Sequence, residues 1–278
     1  MSVVNRVFPV LESNLRAIWA RAYVRIVGQN RELSWIFFDV CLPLLSMASY
    51  VYVYRSLKAP QEFTGYVILG GAMTAYWLNV LWGMAAQLYW EKETANLELF
   101  LISPISRVSI LMGMALGGFY VTTIRTISSV LLGAVVFGVK FHFDQPFMTL
   151  AMFFATLAAL YALGMMGSSL FLLYGREAWH MSNMLQEPVY LLSGFYFPIK
   201  SLGFWIAASA SIIPIALGLD GMRQLLFPGA EGHGFFPAGP ELLVVTLLGI
   251  LYFMLAVRFL AFMERLAKRE GRLTLRWQ

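Results

Sequence analysis

The sequence predicts an all-α, polytopic membrane protein with six transmembrane helices. Three observations carry that expectation. The chain of 278 residues is 59% hydrophobic and 13% charged, with a mean hydropathy of +0.70, whereas a soluble domain carries about 25% charged residues. Its apolar residues fall in runs near the ~20 that a helix needs to cross a hydrocarbon core of about 30 Å, the clearest being the uncharged stretch from Phe63 to Trp90. The runs are continuous, unlike the short alternating segments of a membrane β-barrel.

The elements follow in order. Residues 1–33 predict an amphipathic helix on the cytoplasmic membrane surface. Leu11, Leu15, Ile18, Trp19, Tyr23, Ile26 and Val27 recur at helical spacing, and Arg16, Arg21 and Arg25 lie off that stripe, so the apolar face suits the acyl boundary and the arginines the headgroups. Arg6, Glu12, Arg16, Arg21, Arg25 and Arg31 interrupt the segment, so it has no uncharged core of a signal peptide. Residues 34–263 predict the six-span bundle, with spans at Trp35–Tyr54, Tyr66–Tyr89, Val108–Val139, Phe147–Tyr174, Val189–Leu217 and Leu242–Met263. The fifth contains Gly194, Pro198, Lys200, Gly203 and Pro214, and irregular backbone at membrane depth must be covered by protein or line a cavity. A helix ending near Phe197–Pro198, then re-entrant outer half-helices, is expected. Residues 264–278 form a short basic tail, and the whole of 1–278 reads as one membrane domain.

Charge bias orients the bundle. With both termini in the cytoplasm, fourteen of the 20 Lys and Arg fall on that side. Arg55, Lys58, Lys140, Lys200 and Arg223 fall on the other, and Arg125 lies within a span. Charges within spans are functional candidates by default. Arg125 reads either as snorkelling to the outer interface or as facing a cavity and an anionic headgroup. Asp39 and Arg258, at similar depths in the first and sixth spans, are expected to share a polar network. Gly113 and Gly117 form a GxxxG that lets membrane helices approach closely.

Signatures of catalysis are missing. No Gly-Lys pair occurs, so the chain has no phosphate-binding P-loop of its own. His142, His180 and His233 stand apart in sequence without metal-ligand spacing. The single cysteine, Cys41, excludes an intramolecular disulfide. The basic balance fits the positive-inside rule without invoking nucleic acid.

Three stretches then carry a resemblance. Glu91–Ser106, EKETANLELFLISPIS, places acidic residues before a short amphipathic segment that ends at Ser103-Pro104. Ser193-Gly-Phe-Tyr-Phe-Pro198 opens the irregular fifth region, and Ile213-Pro214 is followed by Arg223. Together they resemble the permease subunits of ABC-2 type exporters of drugs, lipids or polysaccharides, over nearly the whole chain. Two positions depart from the family pattern: Ala95-Asn96 stands for its Gly-Thr, and Leu202-Gly203 for its Leu-Pro. Asn96 is still able to start a helix, its side chain accepting from a free N–H.

The resemblance implies a cytoplasmic coupling helix that docks on a separate ABC ATPase through Glu91, Glu93, Leu97, Glu98, Phe100 and Leu101. Arg16, Trp19, Arg21 and Arg25 mark its interface helix. ATP and Mg would sit on that partner, with no cofactor in this chain. A second permease copy, identical or a sister chain, would complete the path in the inner (plasma) membrane. Two other functions compete. An ion-coupled secondary transporter suits broken helices but needs buried carboxylates, and Asp39 is the acidic residue expected within a span. A membrane-embedded lipid-modifying enzyme needs a clustered nucleophile or carboxylates, which the sequence does not supply.

Overall fold

A chain in hydrocarbon satisfies its N–H and C=O groups within its own helices, and the apolar runs fold accordingly. The structure, a computed structural model, describes residues 4–31, 33–103, 105–174, 176–227 and 229–269. The helices in chain order are α1 (Val4–Asn30), α2 (Leu33–Ser56), α3 (Glu62–Leu78), α4 (Gln87–Glu93), α5 (Asn96–Ile102), α6 (Arg107–Phe137), α7 (Pro146–Tyr174), α8 (Arg176–Leu192), α9 (Phe204–Ala210), α10 (Pro214–Leu226) and α11 (Ala238–Arg269). A π-helical segment, Asn79–Ala85, joins α3 to α4. Among the described residues there is no strand.

Among the described residues five stretches are long and apolar enough to cross a membrane: Phe37–Ser56, Glu62–Glu93, Arg107–Phe137, Pro146–Phe171 and Ala238–Ala267. The second is the centre of the bundle. Of its most apolar window 61% is buried, against 11% for the first and 17% for the last. Tyr76 and Trp77 are core residues of that helix, and Trp82 is only partly covered. On one side α7 pairs with α11. On the other α1, α2 and α6 pack together.

The fifth span differs from the expectation. Its helical part is α8, which ends at Leu192 rather than near Pro198. Gly194 then takes φ +61, a left-handed turn. After a 3₁₀ turn at Ile199–Leu202, α9 and α10 meet at 110°. Val189–Leu217 is therefore a helix end followed by two half-helices, and Pro214 opens the second. The turn 193–198 can sit this low because Gly70 of α3 has no side chain: a methyl there would overlap the carbonyl oxygen of Phe195.

The position of α1 is the larger correction. It runs along α6 in the same direction, rather than lying flat on the membrane surface. Asn14 Oδ1 accepts from the Ser106 N–H at the start of α6 (2.9 Å), and Gln29 O accepts from Arg125 eighteen residues into that helix. The GxxxG seats it. A Cβ at Gly113 would stand 2.6 Å from Ile18 O, and one at Gly117 2.9 Å from Ala22 O. Leu11, Leu15, Trp19 and Tyr23 face outward, as their apolar stripe requires. Arg21 and Arg25 do not reach out to headgroups; they point into the bundle, where they find acceptors described below. Arg16 stays on the surface beside Glu12.

Gly70→Ala is expected to cost about 3 kcal/mol, since the clash is with backbone. Gly28→Ala, where a methyl meets open space, is expected to be neutral or stabilising by up to about 1 kcal/mol through helix propensity. Thermal unfolding of the two purified variants in detergent checks both.

Candidate functional site: a coupling segment joined to a membrane cavity

The segment between the second and third spans folds as two short helices. α4 ends at Glu93, and Ala95 reverses the chain at φ 60 in the left-handed region. α5 then runs from Asn96 to Ile102, and Ser103 is extended, so both ends match the sequence expectation. The start is achieved differently. The Asn96 side chain does not cap the helix; its amide donates to Thr94 Oγ1 at 3.1 Å.

Which face the segment offers is not the face expected. Glu91 is 5% exposed and accepts from Arg21 and from Gln87 Nε2 (2.9 Å). Leu97 is 3% exposed within the core. Phe100 is half-buried, with the Arg21 guanidinium 5.0 Å from its ring centre. These three hold the segment to the bundle and are not free to dock. The outward side carries Glu93, Leu99 (60% exposed) and Ile102 (81%). The side chains of Glu98 and Leu101 lie outside the described residues, as does the tail from Glu270 onward.

From this clamp α1 continues to the π segment. Arg25 Nη1 donates to Gly83 O at 2.6 Å, within Asn79–Ala85. A π turn is rare in proteins and recurs at functional sites. Here it lies where a charged side chain from another helix needs an acceptor. Asn79 of the same segment accepts from the Tyr161 hydroxyl at 3.2 Å. Trp82 donates to Gln186 Oε1 at 3.1 Å and lies 4.8 Å from Trp179, so the π segment also reaches α8.

The C-terminal end of α1 and the π segment form part of the wall of a cavity of about 1180 Å³. The rest of the wall comes from α2, α3, α6, α8 and the turn after α8. Tyr50, Trp82, Tyr190 and Tyr196 line it with Gln29, Asp39, Asn79, Arg125 and Glu187. Tyr50 stacks on Tyr196 at 4.0 Å, and the Tyr54 hydroxyl holds the Tyr196 carbonyl at 2.9 Å.

Arg125 resolves as a cavity residue. It donates to Asp39 and, at 2.9 Å, to Gln29 O. The expected Asp39–Arg258 network is thereby corrected. The α1–α6 alignment lifts the start of α2 to the level of Arg125. Arg258 of α11 lies instead in a separate cleft with Met166, Leu255, Phe259 and Phe262.

The opposite end is closed by Arg223. It is 1% exposed and donates to Phe197 O (2.9 Å), Phe195 O (2.7 Å) and Tyr66 O (3.2 Å), and it lies 4.9 Å from the Tyr66 ring centre. One side chain of α10 thus ties the turn 193–198 to α3. Beside it Asp220 and Glu241 are buried. Gln224 Nε2 donates to both, and the Phe235 and Phe236 N–H groups to one each. Their burial is not legible in the sequence, where Asp220 falls just past the expected fifth span and Glu241 just before the sixth. Neither lines the cavity.

A model of the ABC-2 type transporter family matches residues 13–227. The chain belongs to this family. No curated protein matches it. The match runs from Ser13 of α1 to Phe227 just past Arg223, so it includes the coupling segment, the cavity wall and the closing turn. As an ABC-2 permease the chain is a multi-pass membrane transport protein.

Arg21 and Glu91 are largely withdrawn from water, and removing one partner of such a pair strands the other charge at about 3–5 kcal/mol. Glu91→Leu alone is therefore expected to destabilise strongly. Arg21→Met combined with Glu91→Leu should recover most of the loss, a coupling that unfolding of the single and double variants measures. Ala95→Gly removes a left-handed penalty of about 1 kcal/mol and is expected to raise the thermal midpoint.

Proposed function

We propose that this chain is the permease subunit of an ATP-driven ABC-2 exporter. A separate cytoplasmic ATPase would hold ATP and Mg, and a second permease copy would complete the path. The reading rests on one observation above all: the coupling segment and the cavity wall are joined by the same helix, α1, through Arg21 at one end and Gln29 at the other. A partner that moves α5 therefore moves the cavity wall. Transport then follows if the partner's affinity differs between the two states of that wall.

The docking face assigned here is Glu93, Leu99 and Ile102, two apolar side chains with a carboxylate at their edge. That composition suits a hydrophobic interface core with a polar rim. The cargo class supported is amphipathic: aromatic rings line a cavity that also carries Arg125, Asp39 and Glu187. With the docking surface cytoplasmic, both termini are cytoplasmic and the Arg223-closed turn faces outward, as the charge bias favours. An ion-coupled alternative gains nothing from Asp220 and Glu241, which lie off the path and receive their hydrogen bonds from the loop they anchor.

The test is reconstitution with the cognate ATPase in proteoliposomes. The double variant Leu99→Asp, Ile102→Asp is expected to keep the fold and lose at least tenfold in ATP-driven transport, about 1.4 kcal/mol of coupling. Phe100→Ala, which loosens the clamp without touching the docking face, should weaken coupling less and lower stability more. Wild-type transport by the double variant overturns the docking assignment, and transport without any ATPase overturns the class.

A further inference from the structure

α11 lies beyond the family match, and its exposed face carries a pattern that neither coupling nor the cavity uses. Arg258, Arg265 and Arg269 are all exposed. Their spacing of seven and four residues puts them on one stripe, with Phe262 between. Among the described residues none of the three is in an ion pair. Arg265 turns its Nε to the Ala261 carbonyl of its own helix. The acid nearest in sequence, Glu264, projects from another side of the helix and meets Arg107 at 2.8 Å. The facing helix, α7, contains no acidic residue.

Beside the stripe is an apolar cleft of about 240 Å³ between α7 and α11, formed by Met166, Leu255, Phe259 and Phe262, and Arg258 forms part of it. Its height is fixed by the Arg107–Glu264 pair, which ties the end of α11 to the base of α6 next to the coupling segment. Arg258 stands six residues above Glu264, about 9 Å at ~1.5 Å per residue. A guanidinium at that depth lies below the water boundary and reaches for an anion at the headgroup level.

We propose that this face binds one acidic phospholipid of the leaflet at the coupling-segment end. An acyl chain fills the cleft, and the headgroup phosphate is held by Arg258 and Arg265, with Arg269 adding positive charge one turn on. Arginine suits this ligand because its planar fork matches phosphate oxygens. A lipid rather than a free anion fits because the cleft beside the cations is apolar and open along the exposed face of the helix. The proposal rests on the membrane placement of the bundle and not on the transport cycle. Its test reads lipid binding alone, so it and the proposed function fail separately.

The experiment is native mass spectrometry of the full chain in detergent, titrated with phosphatidylglycerol or phosphatidylcholine. Wild type is expected to retain one phosphatidylglycerol in preference to phosphatidylcholine. Arg258→Gln should lower that affinity about fivefold, the contribution of one basic residue near an anionic headgroup, and Arg258→Lys should restore most of it. Leu255→Trp fills the cleft without altering charge and should weaken both lipids. Each variant is first matched to wild type in lipid-free thermal midpoint. A variant that fails this is replaced by Arg265→Gln, for which the same drop is expected.

Unchanged phosphatidylglycerol binding in Arg258→Gln overturns the site. So does a preference that survives Leu255→Trp but vanishes in about 1 M salt, where charges are screened within about 3 Å; that result marks diffuse attraction to a basic helix end. A shift of oligomeric mass in Arg258→Gln would make the face a contact between copies, and also overturns it.

Discussion

An arginine taken out of water needs acceptors inside the protein, and in this bundle most of those it finds lie where helices break. Arg25 uses Gly83 O in the π segment. Arg223 uses Phe195 O and Phe197 O in the turn after α8. Arg125 uses Gln29 O at the end of α1. Carbonyls in the last turn of a helix have no intrahelical partner. In an apolar bundle such orphan carbonyls and the guanidiniums need each other, so each arginine becomes a tie between a broken helix and an intact one.

That exchange explains the placement of α1. An amphipathic helix with four arginines would be stable flat on a membrane, headgroups taking the charges. Here Gly113 and Gly117 let its backbone close on α6, which brings Arg21 to Glu91 and Arg25 to Gly83. Leu11, Leu15, Trp19 and Tyr23 still face outward, while Arg21 and Arg25 gain internal partners. The same contact decides the orientation of α5. Once Arg21 holds Glu91 and covers Phe100, the short helix is fixed with Leu97 inward, and Leu99 and Ile102 are left exposed.

The sequence made legible whatever is decided locally. The four spans that became single long helices lie within a few residues of their expected bounds, because an unbroken apolar run has one stable form in hydrocarbon. The ends of α5 were legible too, since the residues around Asn96 and Ser103 are set by their own neighbours. What failed depended on distant residues. Leu97 and Leu99 are equally apolar, and only α1, some seventy residues upstream, makes one inner and one outer. The Asp39–Arg258 expectation matched two depths on the premise that α2 begins at the membrane surface. Because α1 first climbs along α6, Asp39 begins level with Arg125 instead. The end of α8 was placed near Pro198 because proline is the visible breaker, yet Gly194 breaks the chain earlier, by turning left-handed against a gap left at Gly70.

The coupling path proposed above needs stiffness more than area. A helix held by apolar contact alone slides at little cost because dispersion has no direction. α1 is held by directed bonds at four heights along α6 and its neighbours: Asn14 to Ser106, Arg21 to Glu91, Arg25 to Gly83, and Gln29 to Arg125. A displacement at its lower end cannot be absorbed by slippage without breaking a charged hydrogen bond, each worth roughly 1.5–3 kcal/mol. The upper end then has two outcomes: move with the rest, or let Arg125 exchange Gln29 O for another acceptor in the cavity wall. Either one changes the position of the Arg125–Asp39 pair, which lines the cavity. In the proposed cycle the polar ties that anchor α1 are therefore also what would carry a push on α5 to the cavity.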